Sequence, residues 1–388
     1  MTSLKIALVL FFSWCAVEAH AQVARPPQFV NLAFDGSKSP SMWRDTLSFA
    51  KTQDLKFTYF MSGVYFIDQG SRNLYDAPRN GIGKSAIGFG GSATDIRNRN
   101  QWVEAAINSG HEIAGHANGH FDGSSWSLNN WLYELEHFSL FLVRAQETYG
   151  GVQKPQRWKT LFTDEMWGFR APQLGHNPAL FQALQASGYL YDTSKVQRMD
   201  YWPQKSELGV WNFPLAGLRM AYSGKNTLSM DYNMYVAQSG GKPGDPVNFQ
   251  RWEDEVVETY LNYFKHNYYG NRAPVDIGHH FSLWNGGIYW RGLQRVAAAV
   301  CHLPEVVCGT YQDLMAFLSK KSKQEIQAYQ AGQFPKFTQQ GLLPASFHPV
   351  LLKTFADPEL SPEELEQLAK QACPSESHLE EDQGDFAL

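Results

Sequence analysis

Short apolar runs and longer segments with helical periodicity take turns along residues 28–320. QFVNLAF (28–34) and KFTYFMSG (56–63) read as strands, with a helix from about Met42 to Thr52 between them. QWVEAAINSG (101–110) predicts a helix and HEIAGH (111–116) a strand. The segment Asn129–Tyr149 places Trp131, Leu135, Phe138 and Leu142 on one helical face. The rhythm then continues through the strand WGFRAP, the helix PALFQALQASG and the strands YLYDTS and GVWNFPL. The helix FQRWEDEVVETYLNYFKHN, the strand APVDIGHHF, the helix IYWRGLQRVAAAV, the strand EVVCGTY and a last helix complete it. Repeated strand–helix units predict an α/β fold with a parallel sheet, closed or nearly closed into a distorted (β/α) barrel. One stretch breaks the rhythm. Residues 68–100 are polar and rich in Gly, Asn and Arg, and they read as a long loop folded over the barrel mouth.

In a barrel of parallel strands, chemistry collects just past the C-terminal strand ends. Four places meet that condition. Asp35 ends the first strand, and His116 and His120 follow the third. Arg170 follows the fourth, and His279 and His280 end a late strand. The eleven residues GHEIAGHANGH hold His111, His116 and His120, and the last two converge on one point if the chain turns tightly between them.

Composition narrows the function classes. The chain has 388 residues, 43% of them hydrophobic, enough for a sizeable core. Its formal net charge of -5 argues against a nucleic-acid partner. The start, MTSLKIALVLFFSWCAVEAHAQ, has a basic residue at Lys5, an apolar run and an Ala19-His20-Ala21 cleavage box. These are the parts of a secretory signal over residues 1–21, so a secreted or periplasmic protein without stable membrane insertion is expected. Three cysteines then remain. Cys301 and Cys308 in CHLPEVVC are spaced to close a small loop, and Cys373 is left over. From residue 322 to 388 the chain reads as a helical, then acidic tail that frays.

AFDG, HANGH, GFRAP, YDTS and NRAPVDIGHHF, in that order, resemble the successive motifs of the polysaccharide deacetylases, the NodB-homology domain of carbohydrate esterase family 4. The resemblance spans residues 26–320. It implies the family's distorted barrel and a hydrolase that removes acetyl groups from a polysaccharide with a divalent metal. Carried over residue by residue, it makes Asp35 the general base, His116 and His120 metal ligands, Arg170 the residue that orients the base, and His280 the general acid, with His279 the runner-up.

Such chemistry needs these groups: a metal to polarise the carbonyl and acidify water, a carboxylate to take the water's proton, and an imidazolium to protonate the amine. The implied ion is one divalent metal, zinc by the usual preference for imidazole. The implied substrate is a glycan polymer containing N-acetylglucosamine, peptidoglycan ahead of chitin. One position departs from the pattern. The family's second motif aspartate, a metal ligand, is Gly36 here. Asp35, another carboxylate such as Asp122 or Asp231, or water would have to fill the gap, or the chain is a non-catalytic carbohydrate-binding relative. An O-acetyl xylan esterase is a further alternative. Trp126, Trp211 and Trp284 are candidates for a sugar-stacking floor or for core packing.

Overall fold

The computed structural model describes residues 23–336 and 360–370. The expected signal (1–21), Cys373 and the acidic end lie outside the described residues. In chain order the first elements are β1 (Gln28–Gly36), α1 (Pro40–Gln53), β2 (Thr58–Met61), the hairpin β3 (Asp76–Ala77) and β4 (Gly81–Ile82), α2 (Ala93–Asn108) and β5 (Glu112–Gly115). Next come α3 (Leu128–Tyr149), α4 (Pro155–Asp164), β6 (Gly168–Phe169), α5 (Pro178–Ala186), β7 (Tyr191–Asp192), β8 (Val196–Arg198), β9 (Gln204–Lys205), β10 (Trp211–Asn212), β11 (Leu215–Arg219) and β12 (Asn226–Leu228). The rest are α6 (Asp231–Ser239), α7 (Phe249–Tyr269), β13 (Val275–His280), α8 (Trp284–Val300), β14 (Val306–Val307), α9 (Tyr311–Ser319), α10 (Lys323–Gln330) and α11 (Pro362–Lys370).

The main sheet runs β13-β1-β2-β5-β6-β7-β10-β9, with β14 beside the start of β1. Its pairs are parallel except β9 with β10. A second sheet, β12-β11-β8, lies against the outer edge of β13, where Gly278 N–H donates to Ser229 O at 2.9 Å. The isolated parallel bridge Met230–Gly278 is the remaining link. The expected barrel is therefore present in distorted form, a curled sheet whose β13 edge meets the second sheet through that bridge and not through a continuous ladder.

Strand alternation separates two cores. Phe34 faces outward into a cage of Phe57, Tyr59 and Trp290 beneath α8. Its neighbours Ala33 and Asp35 face inward, where Phe29, Phe60, Ala114, Tyr191, Phe213 and Tyr311 fill the barrel. Buried polar groups cross this interior. Asn31 Nδ2 donates to its register partner Asp276 at 2.8 Å, and Tyr191 Oη and Thr58 Oγ1 donate to Glu112 at 2.7 and 2.9 Å. Burial pushes both the Glu112 and the Asp276 carboxyl up to about 7.

Two differences from the pattern reading have physical causes. Residues 68–100 are not one loop: Ser92 and Asp95 form a capping box that starts α2 at Ala93. The first turns of α2, ATDIRNRN, hold a single large apolar residue, Ile96, so no apolar stripe announces them. The helices α4 and α6 and the second sheet were also not anticipated; in that sheet β8 and β12 have three residues each, too few to show alternation. Cys301 and Cys308 are disulfide-bonded. In the C-terminal stretch, Tyr329 of α10 stacks on Trp202, and Leu360 and Leu368 around α11 join Leu215 and Leu228 in a small core. No described helix is long and apolar enough to cross a membrane.

Candidate active site

The site gathers at the C-terminal ends of β1, β5, β6 and β13. Asp35 and His280 are register partners across the β1–β13 pair, so their side chains leave the sheet on the same face. Arg170, just past β6, reaches Asp35: its Nη1 donates to Oδ1 at 2.7 Å, with both side chains buried. The guanidinium is itself held by Thr193 Oγ1 at 2.8 Å and lies 4.3 Å from the centre of the Phe60 ring. Burial works most strongly against its charge, but Asp35 with Tyr311 and Tyr191 together outweigh it and the Arg170 pKa is raised.

His116 and His120 meet because the chain turns back after β5. Ala117 and His120 both take positive φ, 51° and 58°, and the two ring centres lie 5.1 Å apart. His116 Nδ1 is 2.7 Å from the backbone carbonyl of Arg170. A carbonyl only accepts, so Nδ1 carries the proton and Nε2 presents a lone pair. That Nε2 is buried and has no hydrogen-bond partner. Burial holds His116 down to about 3 and His120 well below the usual imidazole range, so both are neutral at neutral pH. A neutral, buried imidazole with an orphaned nitrogen suits a metal ligand.

The donor set stops there. Among the described residues no three His, Cys, Asp or Glu side chains are grouped to hold an ion. Gly36 has φ +104°, and a Cβ placed on it would meet nothing within 4 Å. Space is open where the motif usually supplies a carboxylate. The other carboxylates are engaged: Asp122 accepts from Ser124 N at 2.8 Å and from Ser124 Oγ at 3.0 Å, a loop cap, and Asp231 is committed to His280.

The two neighbouring histidines of β13 part company. His280 Nδ1 lies 2.7 Å from Asp231 Oδ1, and its backbone N–H donates to Asp231 Oδ2 at 2.8 Å. Despite burial, the charges of His280 and then His279 bring the Asp231 carboxyl below its ordinary value. His279 turns to the opposite face, where Nε2 is 3.0 Å from Tyr260 Oη on α7. Burial lowers it to about 4. His111, the first histidine of its motif, is structural: Phe57 N–H donates to its Nδ1 at 2.9 Å, and the ring stacks on Phe57.

The pattern reading missed the pairing of Asp231 with His280, since Asp231 lies 49 residues away on another element and nothing local marks it. It also missed Arg99. This buried arginine donates to the backbone carbonyls of Ser37, Lys38, Tyr65 and Gly90 and ties the loop after Asp35 to the insert. Trp126, Trp211 and Trp284 are all buried and serve packing. Trp284 stacks on Tyr235 and borders His280 at 5.3 Å between ring centres. The turn after it takes positive φ at Asn285, Gly286 and Gly287, as the WNGG sequence allows.

No family model matches the chain, and no curated protein matches it. The solved structures similar to it include polysaccharide deacetylases, family 4 carbohydrate esterases and a family 4 pseudoenzyme. One is a Mycobacterium smegmatis protein assigned as a polysaccharide deacetylase, 16% identical over 83% of this chain and 100% of that one, with a TM-score of 0.45. A peptidoglycan deacetylase variant from Bacillus subtilis is 10% identical over 78% of this chain and 96% of its own, TM-score 0.40. A family 4 carbohydrate esterase from Streptomyces lividans, in complex with acetate, is 13% identical over 73% and 92%, TM-score 0.36. At these values the likeness bears no functional weight. The side chains carry the reading.

Proposed function

We propose that this chain is an exported, metal-dependent polysaccharide N-deacetylase acting on N-acetylglucosamine units, with peptidoglycan as the favoured polymer. One observation carries this reading: a carboxylate aimed by an arginine and an imidazole aimed by a carboxylate stand side by side on β1 and β13, next to two converging neutral histidines. A carbohydrate-binding protein has no use for an aligned base and acid.

His116 and His120 would hold the divalent ion, zinc by preference, with water completing its shell; when bound it would polarise the acetyl carbonyl and lower the pKa of a water. Arg170 holds Asp35 by Oδ1, which leaves Oδ2 to take the water's proton. Asp231 holds His280 by Nδ1, which assigns donation to the departing amine to Nε2. Arg170 also fixes His116 through its own carbonyl, so one residue aligns base and ligand together. The disulfide suits an oxidising compartment outside the cytoplasm, in keeping with the expected signal.

Acetate release from chitooligosaccharides, peptidoglycan fragments and acetylxylan tests this directly. Release from the first two but not the third supports an N-deacetylase, and release from acetylxylan alone makes it an esterase. One observation favours a second reading, a binding relative without turnover: the missing carboxylate at Gly36. No acetate from any of the three substrates, with retained glycan binding, would establish it. In an active enzyme, Asp35→Asn should lower turnover by roughly 10²–10⁴-fold, the usual worth of a general base.

A further inference from the structure

The loop that carries His116 and His120 does not hold its own shape. Ala117 and His120 sit in the left-handed region, which side-chain-bearing residues adopt only when surroundings enforce it. The enforcing contacts come from two distant places. Glu134, fully buried on α3, accepts from Asn118 N at 3.0 Å and from Asn118 Nδ2 at 2.8 Å through Oε2. Its Oε1 accepts from Tyr75 Oη at 2.8 Å. Tyr75, equally buried in the insert, accepts in turn from Gly119 N at 3.2 Å. Both peptide N–H groups between the histidines' turn residues are thus tied to one Glu–Tyr pair. The insert adds Ala86 N donating to Gly119 O at 2.9 Å. Packing leaves no slack, because a Cβ on Gly63 would lie 2.1 Å from Asn118 Oδ1 and one on Gly119 would lie 2.7 Å from the Tyr75 ring.

We infer that Glu134 and Tyr75 are positioning residues that set the affinity of the His116–His120 pair for a divalent cation. The inference rests on the proposed function, since it presumes that these histidines bind metal. Its physical basis is the short donor set. With two imidazoles and no carboxylate from position 36, binding depends on how well the two rings are held in place beforehand. Neither residue touches the metal; each acts through the backbone of the loop. The insert is then part of the metal site and not an optional cover over a sugar groove.

The test measures cobalt and zinc affinity of the full chain by competition with a chelating dye, at a temperature where circular dichroism shows every variant folded. Tyr75→Phe, which removes one hydroxyl, should weaken binding about tenfold, and Glu134→Ala about a hundredfold, the span expected for groups that orient ligands. Glu134→Gln keeps an acceptor for Asn118 and should recover most of the loss. The visible spectrum of bound cobalt should shift in Tyr75→Phe and Glu134→Ala, which a purely structural role would not cause. Should Glu134→Ala fail to fold, Tyr75→Phe decides alone. Unchanged affinity in Tyr75→Phe, with metal bound by the unaltered protein, overturns this inference and leaves the proposed function standing. No cobalt or zinc uptake by the unaltered protein overturns both.

Discussion

His116 and His120 stand four residues apart on a loop, whereas His279 and His280 are neighbours on a strand; the first pair brings ring to ring, and the second leaves the sheet on opposite faces with Asp231 between them. On β13 the period of two sends adjacent side chains to opposite faces. His280 therefore joins Asp35 inside the mouth, while His279 is buried against Tyr260 of α7. After β5 the extended backbone is abandoned, and two residues at positive φ fold the second imidazole back onto the first. Regular structure separates histidines that sequence joins, and a strained turn joins histidines that sequence separates. The cost of the turn explains why buried partners surround the loop, whereas β13 is held mainly by its ladder to β1, with Asp231 taking the His280 N–H.

The sharpest way to break this comparison is to remove each β13 histidine in turn. His280→Ala should lower turnover by roughly 10²–10⁴-fold at unchanged metal content, as expected for a lost general acid. His279→Ala should keep turnover within a few-fold of the unaltered enzyme. Steady-state kinetics with elemental analysis checks both, and the reverse ranking would place the acid one residue earlier. A smaller effect is expected from Asp231→Asn, which keeps a hydrogen bond to His280 but removes the charge that favours its protonated form. Turnover should fall by about ten- to a hundredfold, and the alkaline limb of the pH profile should move to lower pH. An unmoved limb would separate Asp231 from the acid's function.

His111 sharpens the contrast from the structural side. Replacing it with Leu leaves the buried Phe57 N–H unpaired, which should cost about 1–3 kcal/mol in urea unfolding and leave turnover intact. The least effect is in pH dependence. Burial lowers the His111 pKa from 6.5 to about 4, so its protonation penalises the folded state: the stability is present above 6.5 and lost as pH falls toward 4. Glu112 behaves oppositely. Its pKa rises from 4.5 to about 7, so stability is full below 4.5 and is lost as pH rises through 7. His111→Leu should flatten the acidic limb of an unfolding series run from pH 4 to 8. Glu112→Gln should soften the alkaline limb, with slope remaining from Asp276 and Glu134, both also near 7.

Read alone, the sequence located β1, β2, β5, β13 and the helices α1, α3, α5, α7, α8 and α9, while α4 and β11 escaped although each is longer than some of the elements found. It also placed Asp35, His116, His120, Arg170 and His280 at strand ends, because strand-end position follows from local pattern and from the general geometry of parallel sheets. Other features depended on chain segments that meet only after folding. Asp231 lies 49 residues from His280, and Tyr75 lies 59 from Glu134, so no window along the chain contains either pair. Which of His279 and His280 shares a face with Asp35 needed the register of β13 against β1, which one residue of slip would invert. The open space at Gly36 is of the same kind: the motif resemblance implies that a carboxylate is replaced there, but only the assembled barrel mouth shows that Asp122 and Asp231 are engaged elsewhere.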